Sequence, residues 1–285
     1  MAQGSILNNI SALGASRQLG ITGQGMDKTI QRLTSGKRIN VAQDDAAGLA
    51  ISNRLGADIR ISVQARRNAY DGIGYLAVAD GALDEVTNLL TRAAELAEQA
   101  ATGTINTNNR KALDLEFQNI KLAIKDVGNR ALFNSATVFV TNKLFVSVAD
   151  FSRITLTIGT MTGNMSSTGN GGYSGAKDGT VSVNTGSNIL QYQGATYAKA
   201  EIKELLQAVS MQRAQLGATQ QYLTTIANTL GIQVENFTAA FSQIRDANIA
   251  DEVINLTKYQ ILNQSGISAL GQSNQAAQSI LGLLR

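Results

Sequence analysis

Residues 34–52 read TSGKRINVAQDDAAGLAIS and join a charge-poor N-terminal stretch to the longest helix that the sequence predicts. Gly36 can end the preceding helix, and the basic residues that follow it keep the segment in water. Asp44 or Asp45 can accept hydrogen bonds from the first free amides of the next helix, where a carboxylate also suits the helix dipole. Because neighbouring helical residues point about 100° apart, these two aspartates make a poor pair for acid–base catalysis. We interpret them as helix caps.

Downstream, no strong helix terminator occurs from Asp44 to Ala101, and from Ala65 small or apolar residues recur at alternating steps of four and three. This spacing is typical of a coiled-coil seam. About 58 helical residues at 1.5 Å each would span roughly 85 Å, which predicts a rod. Two helices broken near Gly72–Gly74 are the alternative, because glycine weakens a helix interior. The predicted seam comprises Ala65, Ala69, Gly72, Leu76, Ala79, Leu83, Val86, Leu90, Ala93, Ala97 and Ala100.

Two later segments carry the same spacing. The first follows a TGTINTNN loop, ends at Phe133–Asn134, and should fold back antiparallel on the long helix. The second begins near Thr196 and continues through a stutter at Leu230, where two steps of four follow each other. The predicted contact residues are Leu113, Phe117, Ile120, Ile124, Val127 and Ala131 in the first segment, and Ile202, Leu205, Val209, Leu216, Leu223, Ile226, Leu230, Val234, Phe237, Phe241 and Ile244 in the second.

The middle of the chain differs from the helical parts. Over residues 137–158, β-branched and aromatic residues such as Ile154 and Leu156 alternate with threonine, which predicts short strands or hairpins. Residues 159–180 read GTMTGNMSSTGNGGYSGAKDGT and can bury little, so an exposed loop is predicted. A phosphate-binding glycine loop would need an entering strand, a following helix and a positioned lysine, and Lys177 lacks that context.

Both ends of the chain are amphipathic but carry little charge. Charge is almost absent before Asp27, and no charged residue lies between Tyr259 and Leu284. A lone helix of this kind would be marginal in water, so each end is predicted to order against other protein. For the C-terminal end, the alternative is a helix lying on a membrane surface, although such helices usually carry Lys or Arg on their polar face.

We therefore predict that the end helices mediate self-assembly. A contact between copies that does not close on itself builds a helical polymer rather than a small oligomer. Polar residues on the C-terminal seam can specify register at some cost in stability. The predicted self-assembly residues are Ile6, Ile10, Leu13, Ile30 and Leu33 at the N-terminal end, and Val253, Leu256, Gln260, Asn263, Ile267, Leu270, Asn274, Leu281 and Leu284 at the C-terminal end.

Composition excludes several kinds of function. The 285 residues include no Pro, Trp, Cys or His, so disulfide scaffolds, Cys/His zinc sites, Ser-His-Asp triads and cysteine nucleophiles are ruled out. No convergent set of titratable groups is evident, and we predict neither an enzyme nor a cofactor or metal site. The formal charge of +3 is near balance, and the basic clusters lack interleaved aromatics, so no nucleic-acid partner is expected.

Two sequence patterns bear on export and membranes. No apolar run approaches the roughly 18 residues that a membrane-spanning helix needs, so no span is predicted. The start, MAQGSILNNISALG, lacks the basic and apolar parts of an ordinary cleaved secretory signal. If the protein leaves the cell, we expect another export route to carry it.

Two parts of the chain resemble bacterial flagellins. Residues 31–52 read QRLTSGKRINVAQDDAAGLAIS and match the family's N-terminal hallmark, an ERLSSG-type segment followed by DDAAGLAI. Residues 244–285 read IRDANIADEVINLTKYQILNQSGISALGQSNQAAQSILGLLR and are similar to the family's C-terminal segment, including the closing leucine pair and Arg285. The resemblance covers residues 1–136 and 196–285, and the centre does not carry it.

The resemblance implies a mainly α fold. This fold is a long antiparallel helical rod or coiled coil with paired N- and C-terminal helices and a small β-hairpin region in the middle. The implied parts are an N-terminal inner-tube helix and linker (1–43), the N-terminal half of an outer-tube rod (44–136), a short β-hairpin and exposed Gly/Ser/Thr-rich loop (137–195), the C-terminal half of the rod (196–246) and a C-terminal inner-tube helix (247–285).

The resemblance also implies a function. The chain would be a structural subunit of the extracellular flagellar filament, exported by the flagellar type III apparatus without a cleaved signal peptide. Its partners would be copies of itself, the flagellar cap, junction proteins and an export chaperone. A hook–filament junction protein is the nearest alternative. A secreted type III translocator or effector is another, although the sequence lacks the apolar hairpin that a translocator would need.

Two further sites follow from the resemblance. The family pattern R-x-x-E-L-A-x-Q implies recognition by the Toll-like innate immune receptor that senses flagellin. It is matched here by Arg92, Glu95, Leu96, Ala97 and Gln99, and the acidic position on the adjacent helix by Glu116. From the residues alone, Arg92 and Glu95 are a solvated i, i+3 pair and Leu96 faces the surface. The outward loop implies O-glycosylation, with an unmodified flexible loop as the simpler interpretation. The candidate acceptors are Ser166, Ser167, Thr168 and Ser174.

Overall fold

The computed structural model describes residues 9–139, 144–147, 153–156 and 188–283. Ile6, Leu284, the predicted loop at 159–180 and the candidate glycosylation residues Ser166, Ser167, Thr168 and Ser174 lie outside the described residues. Over the described residues, the chain forms helices α1 (Ile10–Ser35), α2 (Ala46–Ala100), α3 (Thr107–Arg130), α4 (Tyr192–Arg245) and α5 (Ile249–Leu283), and strands β1 (Leu132–Phe133), β2 (Ala136–Thr137), β3 (Leu144–Ser147) and β4 (Arg153–Leu156).

The described helices belong to two compact units. One comprises residues 1–60 and 235–285, and the other residues 61–234. Helix α2 is uninterrupted through Gly72 and Gly74, so the alternative of two shorter helices is wrong. Helix α4 likewise continues through Leu230. The mainly α fold with paired terminal helices and small antiparallel strand pairs is confirmed.

In the 61–234 unit, α2 and α4 run antiparallel. Position 72 of α2 faces Leu223 of α4, and Glu98 near the end of α2 pairs with Lys199 near the start of α4. Between them, the guanidinium of Arg213 donates to Asp80 over 2.9 Å and to Asp84 over 2.7 Å. Every residue of the predicted α2 seam from Ala65 to Ala100 is buried, so the heptad interpretation is confirmed.

Helix α3 covers a second side of α2 and runs antiparallel to it. Arg110 of α3 donates to the carbonyl of Ala100 over 3.1 Å, and one turn and a half later Glu116 accepts from Arg92. The predicted α3 contact residues Phe117 and Ile124 are buried. Two neighbouring helices on α2 produce a buried stripe wider than a single coiled-coil seam.

Two predicted helix boundaries are wrong. Helix α3 ends at Arg130 rather than at Phe133–Asn134, because the chain turns there into the β1–β2 hairpin. Its turn residues Asn134 and Ser135 have φ values of 49° and 65°, the positive φ that a two-residue hairpin turn needs.

Helix α4 begins at Tyr192, before the predicted Thr196. The amide of buried Ile189 donates to Asp114 of α3 over 2.9 Å, and this tertiary contact positions the chain just before the helix.

The predicted strand region contains a second hairpin. Strand β3 pairs antiparallel with β4, with Val146 opposite Ile154, as the alternating pattern predicts. At the start of the predicted strand region, Thr137 lies in strand β2, whereas Val138 and Phe139 do not lie in a strand. Val138 is fully buried instead, where its carbonyl accepts from the hydroxyl of Tyr75 over 2.9 Å.

Lys121 of α3 is a charged residue in the core, with 6% of its surface exposed. Its ammonium lies 5.6 Å from the centre of the Phe117 ring. Burial lowers the pKa of Lys121 below its ordinary 10.5, while the carboxylates of Glu201 and Asp114 act in the opposite direction. Between the lowered pKa and 10.5 the unfolded chain binds more protons than the folded chain, so this lysine makes the free energy of unfolding rise with pH.

We predict that Lys121→Met increases the free energy of unfolding at neutral pH by about 1 kcal/mol, because burial disfavours the charged ammonium and methionine is an apolar side chain of similar length. The substitution should also reduce the rise of the free energy of unfolding at alkaline pH. Urea unfolding at a series of neutral to alkaline pH values measures both effects, with exposed Lys125→Met as control. A loss of stability in Lys121→Met would show that the interactions of the ammonium outweigh its burial.

Candidate assembly interface

Helices α1 and α5 pair antiparallel in the unit that contains both chain ends. Asn9 caps α1 by accepting from the amide of Ala12 over 3.0 Å, and its Nδ2 donates to the carbonyl of Ser273 over 3.1 Å. Ser273 returns a hydrogen bond from its hydroxyl to Asn9 Oδ1 over 3.2 Å. A single asparagine therefore caps one helix and attaches it to the other.

The opposite end of the helix pair holds a partly buried ion pair. Arg32 of α1 donates to Glu252 Oε1 of α5 over 3.2 Å. Glu252 is almost fully buried, and its Oε2 has no hydrogen-bond partner among the described residues. Breaking such a pair leaves a buried charge uncompensated, so this contact favours one register of α1 on α5.

Between these ends, glycine on one helix faces a large side chain on the other. A Cβ atom placed on Gly25 would lie 2.7 Å from ring atoms of Tyr259, and one placed on Gly266 would lie 3.0 Å from Leu19. Both distances are shorter than ordinary van der Waals contact. The glycines therefore allow close approach in the middle of the pair.

The α5 contact register differs from the predicted single seam. Leu256, Asn263 and Leu270 are partly buried, as a seam facing α1 requires. Four other predicted seam positions are exposed, and the positions one residue earlier are covered instead. The exposed positions are Val253, Gln260, Ile267 and Asn274, whereas the covered ones are Glu252, Tyr259, Gly266 and Ser273.

Among the remaining predicted assembly residues, Leu33 is partly buried, Leu281 lies in α5, and Ile10, Leu13 and Ile30 are exposed. Much of the outward face of the pair is consequently apolar. Leu13 is 76% exposed on α1, and Ile254 and Ile261 are 65% and 60% exposed on α5. Large exposed apolar side chains along a helix pair are typical of an interaction site.

The linker between α1 and α2 pairs with the linker between α4 and α5. The amide of Arg38 donates to the carbonyl of Arg245 over 2.7 Å, and the amide of Ala247 donates to the carbonyl of Gly36 over 3.0 Å. Gly36 has φ 67° at the C-cap of α1, a conformation that glycine adopts without strain.

The two aspartates that follow have different structural roles. Asp45 caps α2 by accepting from the amide of Gly48 over 2.8 Å. Asp44 accepts from the amides of Val41 and Asn40, and these bonds hold the pKa of Asp44 below its ordinary value. The predicted capping role is confirmed for Asp45, while Asp44 stabilises the turn before the helix.

The N-terminal and C-terminal parts of the chain each match a family of known proteins. Residues 6–143 match the family model of the bacterial flagellin N-terminal helical region, and residues 200–284 match that of the bacterial flagellin C-terminal helical region. The chain belongs to the bacterial flagellin family.

Individual flagellins show similarity over nearly the whole chain. The flagellar filament 33 kDa core protein of Treponema phagedenis is 35% identical over 98% of this chain and 99% of that protein. A flagellin of Halalkalibacterium halodurans is 37% identical over the same shares. A crystal structure of Bacillus cereus flagellin aligns with 61% of this chain and 94% of that chain, at 25% identity and a TM-score of 0.47.

Flagellins are structural filament proteins rather than enzymes, and this protein is therefore a structural filament protein. Across the ranges that the structure describes, no helix is long and apolar enough to cross a membrane. The same ranges contain no group of three or more acidic side chains placed to hold a metal ion.

The charged residues that match the family's receptor-recognition pattern form an exposed ionic cluster on α2 and α3. Arg92 donates to Glu116 Oε1 from Nε over 2.9 Å and from Nη2 over 2.8 Å, and to Glu95 Oε2 over 3.0 Å. These hydrogen bonds, chiefly that with Glu116, raise the pKa of Arg92. The cluster therefore presents a fixed, exposed arrangement of charge.

The surface position predicted for Leu96 is wrong. Leu96 is 1% exposed and belongs to the core of the 61–234 unit. It flanks the seam residues Ala93 and Ala97, where α3 and α4 together cover more of α2 than one partner helix would.

Proposed function

We propose that the chain self-assembles into the flagellar filament, and that α1 and α5 carry the contacts between copies. One observation carries this proposal: the two charge-poor end helices pair with each other yet leave an apolar face uncovered. Within the chain, the described residues cover only one side of each helix. The relatives named as filament core proteins support the same conclusion.

The exposed apolar side chains are sufficient to favour assembly energetically. Ile10 is 70% exposed, Ile267 58% and Val253 47%. Fully burying one such side chain contributes about 1.5–3 kcal/mol. Several of them in one contact would offset the ordering cost of association. Helices α1 and α5 would form the inner tube of the filament, and α2–α4 with the hairpins would form the outer tube.

The remaining partners and the location follow from the same proposal. The protein would act outside the cell, after export by the flagellar type III apparatus, and a cysteine-free chain suits a route that delivers unfolded protein. The flagellar cap, junction proteins and an export chaperone would be its assembly partners. O-glycosylation of the loop at 159–180 stays a prediction.

Recognition by the Toll-like flagellin receptor is part of the proposal. The exposed, mutually oriented Arg92, Glu95 and Glu116 support it, because planar guanidinium and carboxylate groups offer directional hydrogen bonds to a partner. Leu96 would contribute through packing beneath the cluster rather than by direct contact.

The proposed function predicts that Ile267→Glu keeps the monomer folded but prevents filament growth, because it places a charge on the outward apolar face of α5. Removal of residues 253–285 should also prevent growth. Electron microscopy and sedimentation of the purified chain with filament seeds measure growth, with Ile267→Val as the matched control. Short collars in place of long filaments would favour a junction protein. Equal polymerisation of full-length chain and Ile267→Glu would contradict the assignment of α5.

A further inference from the structure

A second feature of the unit containing both chain ends is a groove between α2 and α4. It has a volume of about 370 Å³ and is lined mainly by Asn53, Gly56, Ile59, Arg60, Phe241 and Arg245. These residues lie outside the exposed apolar face of α1 and α5. The groove therefore offers a contact site with different chemistry.

The groove contains two guanidinium groups that have no carboxylate partner among the described residues. Arg60 donates from Nε to the carbonyl of Gly56 on its own helix over 3.1 Å, and Arg245 donates to Asn53 Oδ1 over 3.3 Å. Within the described residues, neither arginine forms an ion pair. Arg245 Nε is also buried without an acceptor, which is a cost that folded proteins usually avoid.

Two arginines elsewhere in the chain show how a guanidinium binds a carboxylate between helices. Arg32 pairs with Glu252 over 3.2 Å, and Arg213 pairs with Asp80 and Asp84 over 2.9 and 2.7 Å. At these positions an arginine side chain joins two helices through a carboxylate. Arg60 and Arg245 have unused capacity for the same interaction.

The floor of the groove is apolar and open because of Gly56. A Cβ atom placed there would lie 3.5 Å from Cε2 of Phe241, an ordinary contact. The Phe241 ring also lies 5.7 Å from the guanidinium carbon of Arg245. A larger residue at position 56 would fill this space. An apolar floor with two guanidiniums at its side fits a side chain that has an aliphatic stem and a carboxylate end.

We propose that this groove receives a carboxylate side chain from a second copy of the chain. The inference rests on the proposed function, since it adds one specific contact to the assembly. A free carboxylate would bind weakly at such an open site, because exposed ion pairs contribute little. A carboxylate carried by a copy already docked elsewhere arrives at high effective concentration.

The chain itself supplies suitable carboxylates. Asp71 and Glu85 of α2 are exposed, and within the described part of the chain neither forms an ion pair. Two guanidiniums without acidic partners and exposed acids without basic partners are complementary between copies. This charge complementarity favours a second copy over an unrelated partner.

The test compares the critical concentration for seeded filament growth in groove variants and matched controls. Arg60→Gln removes one guanidinium, and Gly56→Leu fills the groove without removing charge. Arg54→Gln removes an exposed charge of the same helix that does not line the groove, and Gly81→Leu makes the same change at an exposed glycine with no neighbour within 4 Å. Circular dichroism and thermal unfolding of the monomers accompany each assay.

We expect the two groove variants to raise the critical concentration about tenfold, equivalent to about 1.4 kcal/mol of contact free energy, while both controls match the unsubstituted chain. Normal growth of either groove variant that folds as a monomer would overturn the groove contact and leave the proposed function intact. Failure of the unsubstituted chain to grow on seeds would overturn the proposed function and the groove contact with it.

Discussion

Replacing Ile39 by aspartate is expected to unfold the linker and abolish filament growth, whereas Val41→Asp should do neither. Ile39 is 1% exposed and Val41 is 45% exposed, although only one residue separates them. An unpaired charge at the position of Ile39 should lower the free energy of unfolding by about 3–5 kcal/mol. Urea unfolding of the monomer and sedimentation with filament seeds measure the two effects.

The expected loss follows from how closely the linker packs on α2. A Cβ atom placed on Gly48 would lie 2.8 Å from Cδ1 of Ile39, so the isoleucine side chain lies directly against the backbone of the first helical turn. The amide of Arg38, the neighbouring residue, donates to the carbonyl of Arg245, the last residue of α4. If Ile39→Asp grew filaments as readily as Val41→Asp, the linker would have no part in presenting the end helices.

Leu83→Ala is expected to lower the free energy of unfolding by about 2–5 kcal/mol, because it leaves a cavity in a well-packed core. Leu83 is 0% exposed in the α2 seam. The matched control is Leu122→Ala on α3, where the leucine is 55% exposed and the change should stay within about 0.5 kcal/mol. Urea unfolding followed by circular dichroism measures both.

A similar loss in the two leucine variants would contradict this assignment of the core. It would mean that the surface of α3 around Leu122 is covered in solution, as would occur if copies associated through that face. Sedimentation of the Leu122→Ala monomer distinguishes these cases, because self-association depends on protein concentration and core packing does not.

Helical periodicity predicted the buried face of α2 from Ala65 to Ala100 because one seam repeats there over many turns. On such a long helix, each apolar position reinforces the same face. The same reasoning failed for Leu96, since the sequence of α2 does not show that α3 and α4 cover it together.

The residue pattern of α5 was compatible with two contact registers that differ by one residue. Apolar and small residues occupy both the register of Leu256, Asn263 and Leu270 and the positions beside it. The close approaches of Gly25 to Tyr259 and of Leu19 to Gly266 select the contact register. Both contacts join residues far apart in the chain, so α5 alone could not indicate them.

The sequence by itself determined the helical character, the order of the elements, the Asp45 cap and the family. These properties depend on local spacing, composition and motifs, which are complete within short stretches of chain. Only the tertiary structure decided the α5 register, the burial of Leu96, the start of α4 at Tyr192 and the groove beside Arg60 and Arg245. Each of these depends on side chains from distant helices meeting at one place, and their free energy arises from packing and charge that no single stretch contains.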